Sequence, residues 1–120
     1  MASDELAVIR GQLTGDAPLD TAGSRAILLE ASAGELPEML QVGTPHRVVA
    51  FGKHDTLSSG FANAVGIAVE QGWDPTVRIA GGRAVVFSPT ILRFAWTVPV
   101  DKPAETMRAR FSTLSSAVVR

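Results

Sequence analysis

Apolar residues recur at helical spacing in three stretches of the chain, and each stretch predicts a helix. The first covers residues 19–33, where Asp16 or Asp20 is placed to cap the N-terminus and Gly34 to end the helix. The second runs from Ser58 to about residue 72, and the third from Ala104 to the chain end. The residues that form the three predicted apolar faces are Leu19, Ala22, Ala26, Leu29 and Ala33; Phe61, Ala62, Val65, Ala68 and Val69; and Met107, Phe111, Leu114 and Val118.

Short β-rich runs predict strands before and between these helices. A modest apolar run at residues 6–13 predicts an edge strand, and residues 38–42 and 47–51 predict two further strands, of which the second is buried. Residues 91–98 alternate between two faces and predict a half-buried strand. We expect Phe94 and Trp96, on the apolar face of this strand, to belong to the core.

Two more β-rich runs, residues 76–79 and 84–87, are separated by a Gly-Gly pair at residues 81–82. Both glycines tolerate a positive φ, so the pattern predicts a β-hairpin with these runs as its arms. Arg78 and Arg83 bracket the turn, and each offers a planar fork of donors suited to a carboxylate or phosphate. The pattern is therefore a candidate cradle for a small anionic ligand, and the alternative is a surface hairpin with solvated arginines.

Polar residues follow the buried strand at residues 47–51, in the order Gly52, Lys53, His54 and Asp55. Open α/β sheets usually bind ligands at the carboxyl ends of their strands, so this segment is a second candidate for ligand contact. The alternative is a polar loop that only ends the strand.

Composition excludes several classes of function. The net charge of the 120 residues is −1, so no overall field would attract nucleic acid or a membrane surface. The sequence has no cysteine, which excludes a disulfide framework, a thiolate metal site and a cysteine nucleophile within it and fits a reducing cytosol. No apolar stretch approaches the roughly 20 residues of a membrane-spanning helix, and the N-terminus lacks the pattern of a signal peptide. We expect a cytoplasmic protein with no metal site of its own.

The order of the elements predicts the fold class. Helices that alternate with strands and cover one face of a mostly antiparallel sheet predict an α+β domain of mixed α/β layers. The length predicts one domain, residues 1–120, and no linker divides it. The last predicted helix has no glycine, proline or cap after it, so we expect the native domain to continue.

Three segments carry a resemblance to a known family. Residues 47–55 (RVVAFGKHD) look like a strand ending in Gly-Arg-polar-Gln, and residues 77–85 (VRIAGGRAV) look like an Arg-Arg-x-x-Gly-Gly-Gly/Arg-Ala-Val loop. Residues 91–96 look like the strand that follows this loop and lines a lipoyl pocket. In this order and spacing, over roughly residues 16–120, the segments resemble the lipoate–protein ligase and octanoyltransferase family. The resemblance implies the biotin/lipoate protein ligase fold, of which this chain would be the N-terminal half.

The activity that the resemblance implies is the attachment of a lipoyl or octanoyl group to a lysine of a carrier protein. A ligase would use ATP and Mg²⁺ to form an acyl-adenylate, and an octanoyltransferase would not. The implied partner is the lipoyl carrier domain of a 2-oxoacid dehydrogenase or a glycine cleavage protein, and a second chain could supply the rest of the site.

The resemblance also implies which residues contact substrate. Arg78 would face the carboxylate or the adenylate phosphate, where preorganised donors stabilise developing charge. The wall and backbone donors beside it would come from the loop residues Gly81, Gly82, Arg83 and Ala84. Lys53 would replace the usual arginine after the strand glycine, with His54 next to it.

The sequence also departs from the family pattern. Val77 stands where the family has its first arginine, and Phe87 lies in the segment 86–88 where a histidine is expected. The lysine and the cysteine that family members use in catalysis would lie beyond Arg120, so the catalytic residues are unknown. Three hypotheses remain: an acyltransferase or ligase domain, a non-catalytic module that binds a lipoyl group or a carrier domain, and an unrelated domain.

Overall fold

The computed structural model describes residues 5–11 and 14–119, and its helices lie where the sequence predicts them. The helices are α1 (Ala17–Ser32), α2 (Phe61–Glu70) and α3 (Pro103–Val118), and a short 3-10 turn spans Asp55–Leu57. The strands are β1 (Leu6–Arg10), β2 (Glu38–Gly43), β3 (Val48–Phe51), β4 (Asp74–Val77), β5 (Val85–Phe87) and β6 (Arg93–Thr97). The predicted continuation of β1 over residues 12–13 and the last residue of the predicted third helix lie outside the described residues.

The strands form two three-stranded sheets, and each sheet is mixed. One sheet has the order β1-β2-β6 and the other the order β4-β3-β5. In both, the central strand pairs in parallel with one neighbour and antiparallel with the other. The α+β class with mixed layers is confirmed, and β1 is an edge strand as predicted. Parallel and antiparallel pairs contribute equally, where the sequence led us to expect a mostly antiparallel sheet.

The predicted hairpin is wrong, because β4 and β5 flank β3 on opposite sides instead of pairing with each other. Val49 of β3 lies opposite Pro75 in the parallel pair and opposite Val86 in the antiparallel pair. β3 is the most buried strand and offers two edges, whereas an isolated two-stranded hairpin is only marginally stable. The connection at residues 78–84, which we call the glycine loop, therefore crosses over the C-terminal end of β3.

The N-terminus of α1 is fixed by Asp16, one of the two predicted caps. Its carboxylate Oδ1 accepts a hydrogen bond of 2.9 Å from the backbone N–H of Leu19, and Pro18 occupies the first turn. Asp20 has a different role, since its Oδ1 accepts from the backbone N–H and the hydroxyl of Thr14 at 3.0 and 2.9 Å.

The inward face of α1 is not the predicted apolar stripe. Leu19 and Leu29, both in the stripe, are 56% and 59% exposed, whereas the buried residues of the helix are Ala17 and Ala31. Polar contacts hold the inward face: the hydroxyls of Thr21 and Thr76 lie 3.0 Å apart. The prediction failed because polar side chains interrupt the apolar pattern on the side that packs.

The expectation that Phe94 and Trp96 both belong to the core is wrong for Phe94, which is 39% exposed. Trp96 is half-buried, and its Nε1–H donates to Glu38 Oε1 across the sheet at 2.6 Å. Arg93 shares the inner face of β6 with Ala95 and donates from Nη2 to Ser24 Oγ of α1 at 3.3 Å. The polar face of this strand therefore lies against α1.

None of the helices in the described part of the chain combines the length and the apolar character needed to cross a bilayer. The predicted apolar stripe of α3 is largely exposed, with Phe111 and Val118 both about two-thirds accessible (64% and 65%).

Candidate functional site

Arg78 is the residue that folds the glycine loop over the end of β3. Its backbone N–H donates to the carbonyl of Phe51 at 2.8 Å, which extends the pairing of β4 with β3 by one residue. Its guanidinium Nη2 donates to the backbone carbonyl of Arg83 at 2.8 Å, at the other end of the loop. Its Nε is buried and has no hydrogen-bond partner among the described residues. An unpaired buried donor is destabilising by about 1–3 kcal/mol unless a ligand satisfies it.

The close approach of the loop to β3 depends on two glycines. Gly52 follows β3, and a Cβ on it would overlap the carbonyl oxygen of Gly82 and lie 2.9 Å from the carbonyl carbon. Gly82 has φ +91°, and a Cβ on it would lie 2.7 Å from Arg78 Nη2. The glycine pair therefore lets the loop contact the end of β3 closely and does not form a hairpin turn. Of the two glycines, only Gly82 has a positive φ.

Asp55 links the strand end to the loop through its two carboxylate oxygens. Oδ2 accepts from the backbone N–H of Gly52 at 2.8 Å, and Oδ1 lies 3.4 Å from Arg83 Nη1. The Asp55 side chain is 15% exposed and that of Arg83 is 83% exposed. The exposed arginine is thus held by a carboxylate that the turn after β3 keeps largely covered.

A shallow polar cleft lies beside the loop, with a volume of about 470 Å³. It is lined by His54, Leu57, Ser58, Gly82 and Arg83. The structure therefore brings His54, Gly82 and Arg83, three of the predicted contact residues, to one cleft.

The remaining predicted contact residues are less closely placed. Lys53, Gly81 and Ala84 are exposed and do not line the cleft or the larger cavity described below. A Cβ on Gly81 would meet nothing within 4 Å, so the loop is open at this point. Their roles stay predictions.

An apolar cavity of about 670 Å³ lies between the two sheets and is closed on one side by α1. This volume lies in the range of small-molecule sites. The glycine loop contributes Arg78, Ile79 and Ala80 to the wall, and Phe111 of α3 also lines it. The apolar walls include Ile27, Leu28, Val48, Phe87 and Trp96. Arg78 therefore stands where an apolar space meets the loop.

Polar side chains of α1, which are not among the predicted site residues, also reach this cavity. They are Asp20, Thr21 and Ser24, and Asp20 Oδ2 is buried with no hydrogen-bond partner in the described structure. The signal was present in the sequence: residues 17, 20, 21, 24, 27, 28 and 31 follow helical spacing. Because these residues are partly polar, they do not form the apolar stripe that predicts the inward face of a helix.

Asp74 anchors the start of α1 beside the cavity. Its Oδ2 accepts from the backbone N–H of Ala17 at 2.7 Å and lies 2.9 Å from His46 Nε2. Burial alone would raise the pKa of Asp74, but the hydrogen bonds from Ala17 and His46 and the charge of His46 outweigh it, so its pKa lies below the usual value. Asp74 and His46 were also missed, because nothing in their sequence spacing joins them.

Within residues 5–11 and 14–119, no three His, Cys, Asp or Glu side chains form a cluster that could hold a metal ion. The ionisable residues that line the cavity in this part of the chain are Asp20, Arg78 and Arg93. Two guanidinium groups and one carboxylate therefore border the apolar space.

Two solved structures that share this fold are a lipoate-protein ligase and a protein provisionally assigned as one. A T. acidophilum protein provisionally assigned as a lipoate protein ligase, with bound lipoic acid, matches with a TM-score of 0.68 and 20% sequence identity over 88% of this chain. A lipoate-protein ligase A bound with ATP matches with a TM-score of 0.61 and 20% identity over 82% of this chain. No protein-family model matches the sequence, and no curated protein matches it either. The fold expected from the resemblance, that of the biotin/lipoate ligases, is confirmed.

The match covers only part of each ligase. This chain corresponds to 43% of the first structure and 38% of the second, so it spans about two fifths of their length.

Proposed function

We propose that this chain is the acyl-binding part of a lipoate–protein ligase-like acyltransferase, which attaches lipoyl or octanoyl groups to a lysine of a carrier domain. The observation that carries the proposal is the position of Arg78, which lines an apolar cavity and has a buried, unpaired Nε. An alkyl chain fits the apolar walls, and its carboxylate would satisfy the guanidinium. The lipoic acid and ATP bound in the two ligase structures support this choice of ligand.

The cavity and the glycine loop would have separate roles, since the cavity binds the alkyl chain and the loop binds the carboxyl group. The cavity removes the alkyl chain from water, which favours binding in proportion to the apolar area buried, at about 25 cal/mol per Å². Arg78 fixes the carboxyl group and offsets its charge. A donor fixed in this way also stabilises the oxyanion that forms when a lysine amine attacks the acyl carbon.

ATP would supply the activation step if the protein is a ligase. Attack of the acyl carboxylate on the α-phosphate forms the acyl-adenylate and releases pyrophosphate, and the carrier lysine then displaces AMP. Arg83 and His54, which line the polar cleft, fit a phosphate. Mg²⁺ would arrive with the nucleotide, because it is usually held by phosphates and few protein carboxylates. The cytosol is the setting in which we place this reaction.

The partner that we propose is a lipoyl carrier domain of a 2-oxoacid dehydrogenase or glycine cleavage protein. The residues of lipoate–protein ligases outside the matched two fifths have no counterpart within these 120 residues. Transfer would therefore use residues supplied by a further segment or by a second chain, whereas binding of the acyl group requires only the cavity and the glycine loop.

Binding of free lipoate, measured by titration calorimetry, tests the proposal. Wild type should bind lipoate, and Arg78→Gln should weaken binding by about tenfold or more, as expected for losing a charge-assisted hydrogen bond. The matched control is Arg25→Gln, because Arg25 is exposed on α1 and does not line the cavity. Equal affinities in the three proteins, or no binding by wild type, would reject the proposed function.

One observation favours the non-catalytic alternative, a module that binds a lipoyl group or a carrier domain. Phe87 lies in the segment where the family resemblance leads to a histidine, and it packs against the buried cluster of Ala17, Val48 and Ala50. The cavity wall is apolar at this position, where a histidine could exchange a proton. Lipoate binding without acyl transfer, in the presence of ATP, the carrier domain and a segment that corresponds to the other three fifths of a ligase, would support this alternative.

A further inference from the structure

Asp55 joins the turn after β3 to the glycine loop through the two oxygens of its carboxylate. One carboxylate oxygen accepts from Gly52 N–H at 2.8 Å, and the other lies 3.4 Å from Arg83 Nη1. The turn holds the carboxylate in place, because the backbone N–H of Asp55 donates to Gly52 O at 3.1 Å. Asp55 is therefore a fixed acceptor at the strand end, and Arg83 is a long, exposed side chain that reaches it.

The two arginines of the glycine loop differ in how firmly they are held. Arg78 is held by its hydrogen bonds to the carbonyls of Phe51 and Arg83, both at 2.8 Å. The side chain of Arg83 is 83% exposed, lines the polar cleft and makes a long ion pair. Exposed ion pairs are weak, so an anion in the cleft can compete for this arginine.

We propose that Asp55 is a positioning residue that holds the glycine loop closed through Arg83, and that a phosphate or carboxylate group entering the polar cleft takes Arg83 from it. Asp55 then sets how strongly the cleft binds anions, because its carboxylate and the anion compete for one guanidinium. The inference goes beyond the proposed function, since it requires neither an acyl chain nor a carrier domain.

The loop part of the inference is tested by amide hydrogen exchange of residues 78–84 in the full chain. Asp55→Asn keeps an acceptor for Gly52 N–H and removes only the charge that attracts Arg83, whereas Arg83→Gln removes the other partner. Both variants should exchange faster in this segment than wild type, by about two- to fivefold, and the double variant should exchange no faster than either. The matched control is Glu105→Gln, which removes one charge from the exposed Lys102–Glu105 pair, also 3.4 Å long.

The competition is tested by following the Gly82 and Arg83 amide resonances during titration with inorganic phosphate and, separately, with acetate. Asp55→Asn should bind the anion about two- to fivefold more tightly than wild type, and Arg83→Gln should lose binding. The anion that gives the larger shifts identifies the ligand chemistry.

Two results would overturn the inference: exchange in residues 78–84 that is the same in Asp55→Asn and wild type, or equal anion affinities in these two proteins. Neither readout depends on lipoate, so failure here is distinguishable from failure of the proposed acyl binding.

Discussion

Gly52 and Gly82 lie directly against each other, although 29 residues separate them in the chain. The carbonyl oxygen of Gly82 occupies the space that a side chain on Gly52 would need. This contact brings the glycine loop to the end of β3 and determines where Arg78 and Arg83 lie.

A methyl group at Gly52 should separate the loop from the strand end. We expect Gly52→Ala to lower the free energy of unfolding by about 1–3 kcal/mol, as overpacking does, and to abolish lipoate binding because Arg78 moves with the loop. Gly66→Ala is the control: Gly66 lies within α2, a Cβ there meets nothing within 4 Å, and alanine should stabilise the helix by about 0.5–1 kcal/mol. Urea unfolding measures both, and a Gly52→Ala protein as stable as wild type would contradict the close contact.

Asp74 should make the stability of α1 depend on pH. Its pKa is lowered in the folded state, so its contribution is fully present above the unfolded-state pKa, near 3.8, and is lost as the pH falls through the lower folded-state value. Both side chains of the Asp74–His46 pair are about a third exposed (33% and 29%), so we expect an effect of about 1 kcal/mol or less.

Urea unfolding of wild type and Asp74→Asn from pH 7 to pH 2.5 measures this contribution. Wild type should be the more stable at pH 7, and the difference should shrink below about pH 4. Asp101→Asn, at an exposed position after β6, controls for the loss of one charge. A difference that stays constant over the whole range would show that the Asp74 carboxylate does not anchor α1.

Filling the cavity should reduce ligand binding without unfolding the protein. Ala95 on β6 lines the cavity, and Ala95→Phe places a ring in space that the acyl chain would use. We expect at least about tenfold weaker lipoate binding and a change in unfolding free energy within about 1.5 kcal/mol.

The control for this substitution is Val86→Phe, since Val86 is 53% exposed on β5 and does not line the cavity. Calorimetric titration should give the wild-type affinity for Val86→Phe. Undiminished binding by Ala95→Phe would place the ligand elsewhere.

Elements with a clear period were predictable from the sequence, and the pairing of strands was not. Helical spacing located α1, α2 and α3, and a β-branched apolar run located β3. The Gly-Gly pair predicted a hairpin because that prediction rests on the local turn residues alone. It leaves out β3, which competes with each arm for pairing with the other. β3 lies earlier in the chain and is more buried than either arm, so it takes both arms as neighbours.

The candidate site was predictable only where a local sequence pattern marks a residue. Arg78 and Arg83 were predicted because they bracket the Gly-Gly pair, and His54 because it follows a strand end; the structure places all three beside the cavity or the cleft. Asp20 was not predicted as a site residue, and Asp55 was named only as part of the polar segment after β3. Asp20 lies on a helix face whose polar residues interrupt the apolar pattern. Asp55 contacts Arg83, which is 28 residues away in the chain, and no local sequence pattern indicates that contact.

The central claim is that Arg78 binds the carboxyl end of an acyl chain held in the apolar cavity. A crystal structure of the chain with lipoate tests it most directly. The account predicts alkyl carbons against Ile27 and Phe87 and a carboxylate oxygen within hydrogen-bond distance of the Arg78 guanidinium. Lipoate bound outside this cavity, or bound inside it with Arg78 turned towards solvent, would contradict the claim.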